Sequence, residues 1–260
     1  MIRRLVLGAT AIALCAIAVP SLLSPARAQE GAEAPPLLDA GFSFRGAFGT
    51  IDKASAQRGL QIYKEVCSNC HGLYELSYRN IAALGYTDDQ VKAFAADYQV
   101  DDFNDKGEAV KRPAKPSDRF IRPFPNEAAA REANNGAYPP DLGLIAKSRK
   151  GGPDYVYSLL QGYGAPPASI KMSEGMNYNK FFPNYQIAMP QPLTDGAVTY
   201  EDGTKNTLQQ EAKDVATFLE WAAEPEADER KQMGWRVMLF LIPFALLLYV
   251  VKRKVWADVH

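Results

Sequence analysis

The chain has 260 residues, of which 47% are apolar and 23% charged, enough to bury a real core; this excludes an intrinsically disordered tail and a disulfide-stapled miniprotein. Its 29 Lys+Arg stand against 30 Asp+Glu, so there is no basic excess of the kind that nucleic-acid binding needs.

Taken from the N-terminus, Arg3 and Arg4 precede an apolar run over 5–19, and Ala26-Arg27-Ala28 forms a small-x-small cleavage site. This pattern predicts a cleaved signal peptide over 1–28. The apolar run is short for a membrane span, which needs roughly 20 residues. Leu14 before Cys15 is too bulky for a lipoprotein signal.

Residues 29–50, with Pro35, Pro36 and several glycines, read as an extended leader. Asp52 can cap a helix that places Leu60, Tyr63 and Val66 inward and leads to Cys67-Ser68-Asn69-Cys70-His71. C-x-x-C-H is the attachment motif of a c-type haem. Two thiols three positions apart on a helical turn can each form a thioether to one porphyrin vinyl group, and the next histidine can reach the iron from the proximal side. Rivals fare worse. After cleavage at 28, Cys67 and Cys70 are the only cysteines and His71 is the only histidine before His260, so a four-ligand zinc site cannot close. A thioredoxin-like dithiol lacks its βαβ setting. A plain disulfide between the two cysteines remains an alternative.

The middle of the chain is rich in Pro, Gly, Asn and Tyr, with helical pieces expected at 88–96, 126–134 and 154–161 and few strand patterns. Met172, Met176 and Met189 are the methionines able to supply a sixth iron ligand, because His260 lies beyond the anchor and Met233 begins it. Met189 is favoured: in Met189-Pro190-Gln191-Pro192 each proline fixes its own φ and restricts the residue before it. An iron with both axial positions filled by protein has no open site for oxygen or peroxide, so the domain should move electrons.

Further on, Leu208, Ala212, Val215, Leu219 and Ala222 repeat at intervals of three and four, with Thr207 and Gln210 offering a capping box. This amphipathic helix should pack against the helix before Cys67, and Glu224-Pro225-Glu226 should end it. Trp235 to Val251 is then apolar apart from Arg236 and Pro243, and Lys252, Arg253 and Lys254 follow. We read 233–254 as a transmembrane anchor, 255–260 as a cytoplasmic tail, and 29–229 as the exported domain. That domain carries 20 Lys+Arg and 29 Asp+Glu, a difference of −9, which favours a cationic partner.

Four blocks in this order carry a resemblance: Cys67–His71; Ala133-Asn134-Asn135-Gly136-Ala137-Tyr138-Pro139-Pro140-Asp141-Leu142; Gly151-Gly152-Pro153-Asp154-Tyr155-Val156-Tyr157; and Ala188-Met189-Pro190 ahead of a single C-terminal span. Together they resemble the cytochrome c1 family, the haem subunits of ubiquinol–cytochrome c reductase (cytochrome bc1) complexes, and the resemblance covers nearly all of the mature chain. It implies a mainly α fold, a cytochrome c-like haem domain with long insertions plus one C-terminal transmembrane helix. It also implies one haem c attached at Cys67 and Cys70, with His71 and Met189 on the iron, Arg149 paired with a haem propionate and Tyr155 on the same side of the haem. From the residues alone, Arg149 reads as surface and Tyr155 as core. The implied partners are cytochrome b, a Rieske iron–sulfur protein and a soluble cationic cytochrome c in a dimeric complex, and the implied setting is a bacterial inner membrane with the haem domain in the periplasm. No enzyme activity is expected of the chain alone. Some bacterial relatives bridge an inserted loop with a second cysteine pair; this mature chain has none, so the 97–125 insertion must be held by packing or remain mobile. A membrane-anchored c-type cytochrome of another chain and a haem-based sensor stand as alternatives.

Overall fold

A computed structural model describes residues 35–259; the signal peptide expected over 1–28 lies outside the described residues. These are mainly helical, with two small antiparallel ribbons.

The first helix, α1 (Lys53–Glu65), begins where the Asp52 carboxylate accepts from the Ala54 and Ser55 N–H groups at 3.1 and 3.2 Å, satisfying donors that a helix start leaves free. Its inner face carries Ala56, Gly59, Leu60, Ile62 and Tyr63. That face crosses α6 (Leu208–Ala223), which buries Ala212, Val215, Ala216, Phe218, Leu219, Trp221 and Ala222. Gly59 lies at the crossing, where a Cβ would collide with the Asp214 carbonyl and with Phe218; only glycine lets the two backbones come this close.

A buried carboxylate reinforces the same crossing. Asp214 accepts from Ser55 Oγ at 2.6 Å, from Arg58 Nε and Nη2 at 2.8 and 3.0 Å, and from Gln210 Nε2 at 3.0 Å, so the charge is fully partnered. This alters the expected start of α6. Thr207 does cap it, accepting from Gln210 N at 3.3 Å, but the Gln210 amide turns to the charged Asp214 rather than back to the cap, a stronger acceptor than a neutral one. Asp195 takes the Leu208 N–H at 2.7 Å.

The middle of the chain holds α2 (Asp88–Ala96), α3 (Glu127–Ala133), α4 (Ile145–Ser148) and α5 (Pro153–Leu160). Glycines at φ +94° and +56°, Gly151 and Gly152, make the sharp entry to α5. The 97–125 insertion is held by more than packing: β1 (Gln99–Phe103) pairs with β2 (Ala109–Pro113) in a hairpin. Its turn is closed by Asn104 Oδ1, which accepts from Lys106 N at 2.9 Å and Glu108 N at 3.0 Å. Arg112 ties the hairpin to Asp102 and, at 2.6 Å, to Asp118. At its root Ala114 N donates to Tyr98 O at 2.8 Å, and Tyr98 stacks on buried Tyr78 with ring centres 5.2 Å apart. A second ribbon pairs β3 (Asn177–Tyr178) with β4 (Gln186–Ile187).

The last helix, α7 (Ala227–Val255), is the one helix among the described residues long and apolar enough to cross a membrane. The leader is folded onto its base. Phe42 is buried, Lys231 Nζ donates to the Phe44 and Gly49 carbonyls at 2.7 Å each, and the Phe48 and Trp235 rings stack 4.5 Å apart.

Candidate functional site

Immediately after α1 the chain tightens into a 3₁₀ turn, Cys67–Asn69, in which Cys70 N and His71 N both donate to the Cys67 carbonyl, at 3.1 and 2.9 Å. This puts Cys67, Cys70 and His71 on one compact turn. Both thiols are half-buried and unpaired, which corrects the disulfide alternative. Burial, with Cys70 close by, pushes the Cys67 thiol up to about 12.

The His71 ring is oriented by the Pro-Pro-Asp-Leu block. Its Nδ1 lies 2.7 Å from the Pro140 carbonyl, an acceptor only, so Nδ1 carries the proton and Nε2 is left as the nitrogen able to bind a metal. Burial lowers the His71 pKa, with Pro140 and Asp141 opposing it; the neutral imidazole is the form a metal needs. The block itself is pinned onto the segment after the motif. Leu142 N donates to Gly72 O at 2.8 Å, and Asp141 accepts from Tyr74 N at 2.9 Å and Gly143 N at 2.8 Å. Tyr63 OH reaches the His71 carbonyl at 3.0 Å. A cavity of about 240 Å³ opens beside this turn, lined by Cys70, Gly72, Arg122, Tyr138, Pro139 and Leu144 among others.

The other predicted residues form a second group. Met189 is half-buried just past β4, and its carbonyl accepts from Tyr163 OH at 3.1 Å. Burial, then the nearby Tyr155, raises the Tyr163 phenol. Burial also raises Tyr155, and the Arg149 charge partly offsets that rise. Arg149 thus acts on Tyr155, Tyr155 on Tyr163, and Tyr163 is hydrogen-bonded to Met189. Arg149 is exposed and makes no ion pair among the described residues; Tyr155 is half-buried rather than a full core residue. Of the other methionines, Met172 and Met176 are also half-buried.

The donor set fits a covalently attached haem. Two free thiols stand at thioether spacing, one imidazole has its tautomer fixed, one methionine lies in a restrained loop, and one guanidinium is uncommitted. No group of three or more His, Cys, Asp or Glu able to hold a bare metal ion occurs among the described residues. Pro140, Asp141, Tyr63, Tyr163 and Asn177 act on this site without a signal in the motif; only the position of Pro140 and Asp141 inside the Asn-Asn-Gly block pointed toward them.

Residues 42–259 match the Cytochrome C1 family model. The chain is 47% identical over 283 residues to cytochrome b/c1 of Bradyrhizobium diazoefficiens, covering 97% of this chain but 41% of that protein. It is 51% identical over 210 residues to the mitochondrial heme protein cytochrome c1-2 of Solanum tuberosum, 80% of each chain, and 43% identical to cytochrome c1 of Rhodospirillum rubrum, covering 84% and 86%. With a family match over 42–259 and the Solanum and Rhodospirillum relatives covered over 80% and 86% of their length, the chain belongs to the cytochrome c1 family.

Proposed function

We propose that this chain is the electron-carrying subunit of a membrane ubiquinol–cytochrome c reductase. It would take electrons from a Rieske iron–sulfur protein, beside cytochrome b in a dimeric complex, and deliver them to a soluble cationic cytochrome c. The observation that carries this reading is the turn holding Cys67, Cys70 and His71, with both thiols free and the imidazole tautomer set by Pro140.

When bound, haem c supplies a one-electron iron couple. Cys67 and Cys70 would hold it through thioethers, which would keep it from dissociating outside the cell. His71 would offer Nε2 to the iron and Met189 its sulfur, a pairing that would raise the reduction potential. Arg149 suits a propionate because a guanidinium meets a carboxylate in two parallel hydrogen bonds, and Tyr155 lies beside it. With His71 and Met189 both bound to the iron, the site would favour electron passage over oxygen chemistry.

We infer a bacterial inner-membrane setting with α7 as the membrane-crossing helix. Lys252, Arg253 and Lys254 face the cytoplasm with the 255–260 tail, and 29–229 lies in the periplasm after removal of 1–28. Rapid mixing of the purified complex with quinol tests the function: the c-type haem absorbance should show reduction, then reoxidation on adding a cationic cytochrome c. A c-type haem that quinol never reduces in the intact complex contradicts the reading.

A further inference from the structure

The prolines after Met189 fix their own φ angles; they do not hold the Met189 backbone against the rest of the protein. Two side chains do. Tyr163 OH donates to the Met189 carbonyl at 3.1 Å, and Asn177 Nδ2 reaches the Ala188 and Met189 carbonyls at 3.3 and 3.4 Å. Each donor is itself anchored. Tyr163 lies three residues past the end of α5 and bridges to Asn179 in antiparallel fashion. Asn177 sits in β3 opposite Ile187 of β4, two residues ahead of Met189. Asn179, fully buried, then ties this ribbon to α5, its amide donating to the Leu159 carbonyl at 2.7 Å and its Oδ1 accepting from Phe181 N at 3.0 Å. The residue before Pro190 is therefore restrained from two directions by groups bound to a helix.

We propose that Tyr163 and Asn177 are positioning residues that set how firmly the Met189 sulfur is held at the sixth axial position, and so how well the reduced haem resists external ligands. The inference rests on reading Met189 as the axial ligand. Removing one such hydrogen bond should favour sulfur displacement by roughly fivefold.

The experiment uses the full chain in its native membrane complex, with Tyr163→Phe, Asn177→Ala, Tyr98→Phe and Met189→Leu. Two quantities are read: carbon monoxide binding to the reduced haem, and the far-red absorption band that methionine sulfur gives with ferric iron. Tyr98, whose buried hydroxyl has no partner, controls for the loss of a phenol elsewhere. Tyr163→Phe and Asn177→Ala should each increase carbon monoxide binding roughly fivefold and weaken the band, with Tyr98→Phe unchanged. Wild-type behaviour in both variants, or an equal change in Tyr98→Phe, overturns the positioning role while Met189→Leu still abolishes the band. A band that survives Met189→Leu overturns the ligand reading itself.

Discussion

At His71 a single carbonyl settles the chemistry of the ring, because Pro140 can only accept and so commits Nδ1 to its proton. Asp141 holds that carbonyl in place through two backbone N–H groups, those of Tyr74 and Gly143. Asp141→Ala leaves both donors without their acceptor, and we expect a loss of roughly 1–3 kcal/mol, read as a lower melting temperature together with reduced covalent haem incorporation. Unchanged melting and full incorporation would show that the block is held by its prolines alone. The Cys67–His71 motif and the proposal of Met189 both rest on local signals, a fixed spacing and a Met-Pro-x-Pro sequence. Tyr163 and Asn177 were not legible: they lie 26 and 12 residues from Met189, and a lone Tyr or Asn carries no period or spacing that points to a distant carbonyl.

Among the elements, the contact between α1 and α6 rests on Gly59 and Asp214. Gly59→Val adds β-branched bulk against a backbone carbonyl that cannot move aside, so it should cost roughly 1–3 kcal/mol or more, measured by thermal unfolding of the complex followed at the haem. A wild-type melting curve would mean that the helices can separate freely at this point. The 99–113 hairpin shows why part of the fold escaped the sequence. Neither strand alternates apolar with polar residues, since both lie at the surface with most side chains exposed; its stability comes from the Asn104 turn and from charge pairs across strands, such as Lys111 opposite Asp101 at 3.8 Å. Arg112 side-chain hydrogen bonds lower the pKa of both Asp102 and Asp118 below the usual 3.8. A lowered folded value means that the stabilisation is present above that unfolded value and is lost as pH falls through the folded ones. Hydrogen exchange in 99–113 should therefore accelerate below about pH 4 before exchange in α1 and α6 does; simultaneous acceleration in all three would contradict this. Three of the four middle helices, α2, α3 and α5, were legible to within a residue or so, because each carries a capping side chain or a Gly-Gly-Pro entry that a sequence displays; the four-residue α4, with no side-chain cap, was not.

For the whole molecule, charge and anchoring act together. Residues 29–229 carry 20 Lys+Arg against 29 Asp+Glu, a difference of −9, and the leader is bonded to the first turns of α7 through Lys231 and Trp235. On the proposed reading, an acidic domain tied to α7 would present a steady negative field to a soluble cationic acceptor. The rate at which such an acceptor oxidises the complex should fall as ionic strength rises, because screening shortens the reach of that field to roughly 10 Å at 0.1 M salt; a rate independent of salt would remove charge from the account of docking. The most direct test of the central claim is purification in detergent from native membranes, followed by pyridine haemochrome spectroscopy and identification of the accompanying subunits. Covalently bound haem c on this chain, together with b-type haem and an iron–sulfur protein, is the predicted result; haem c accompanied by copper or oxidase subunits, or no covalent haem at all, would contradict it.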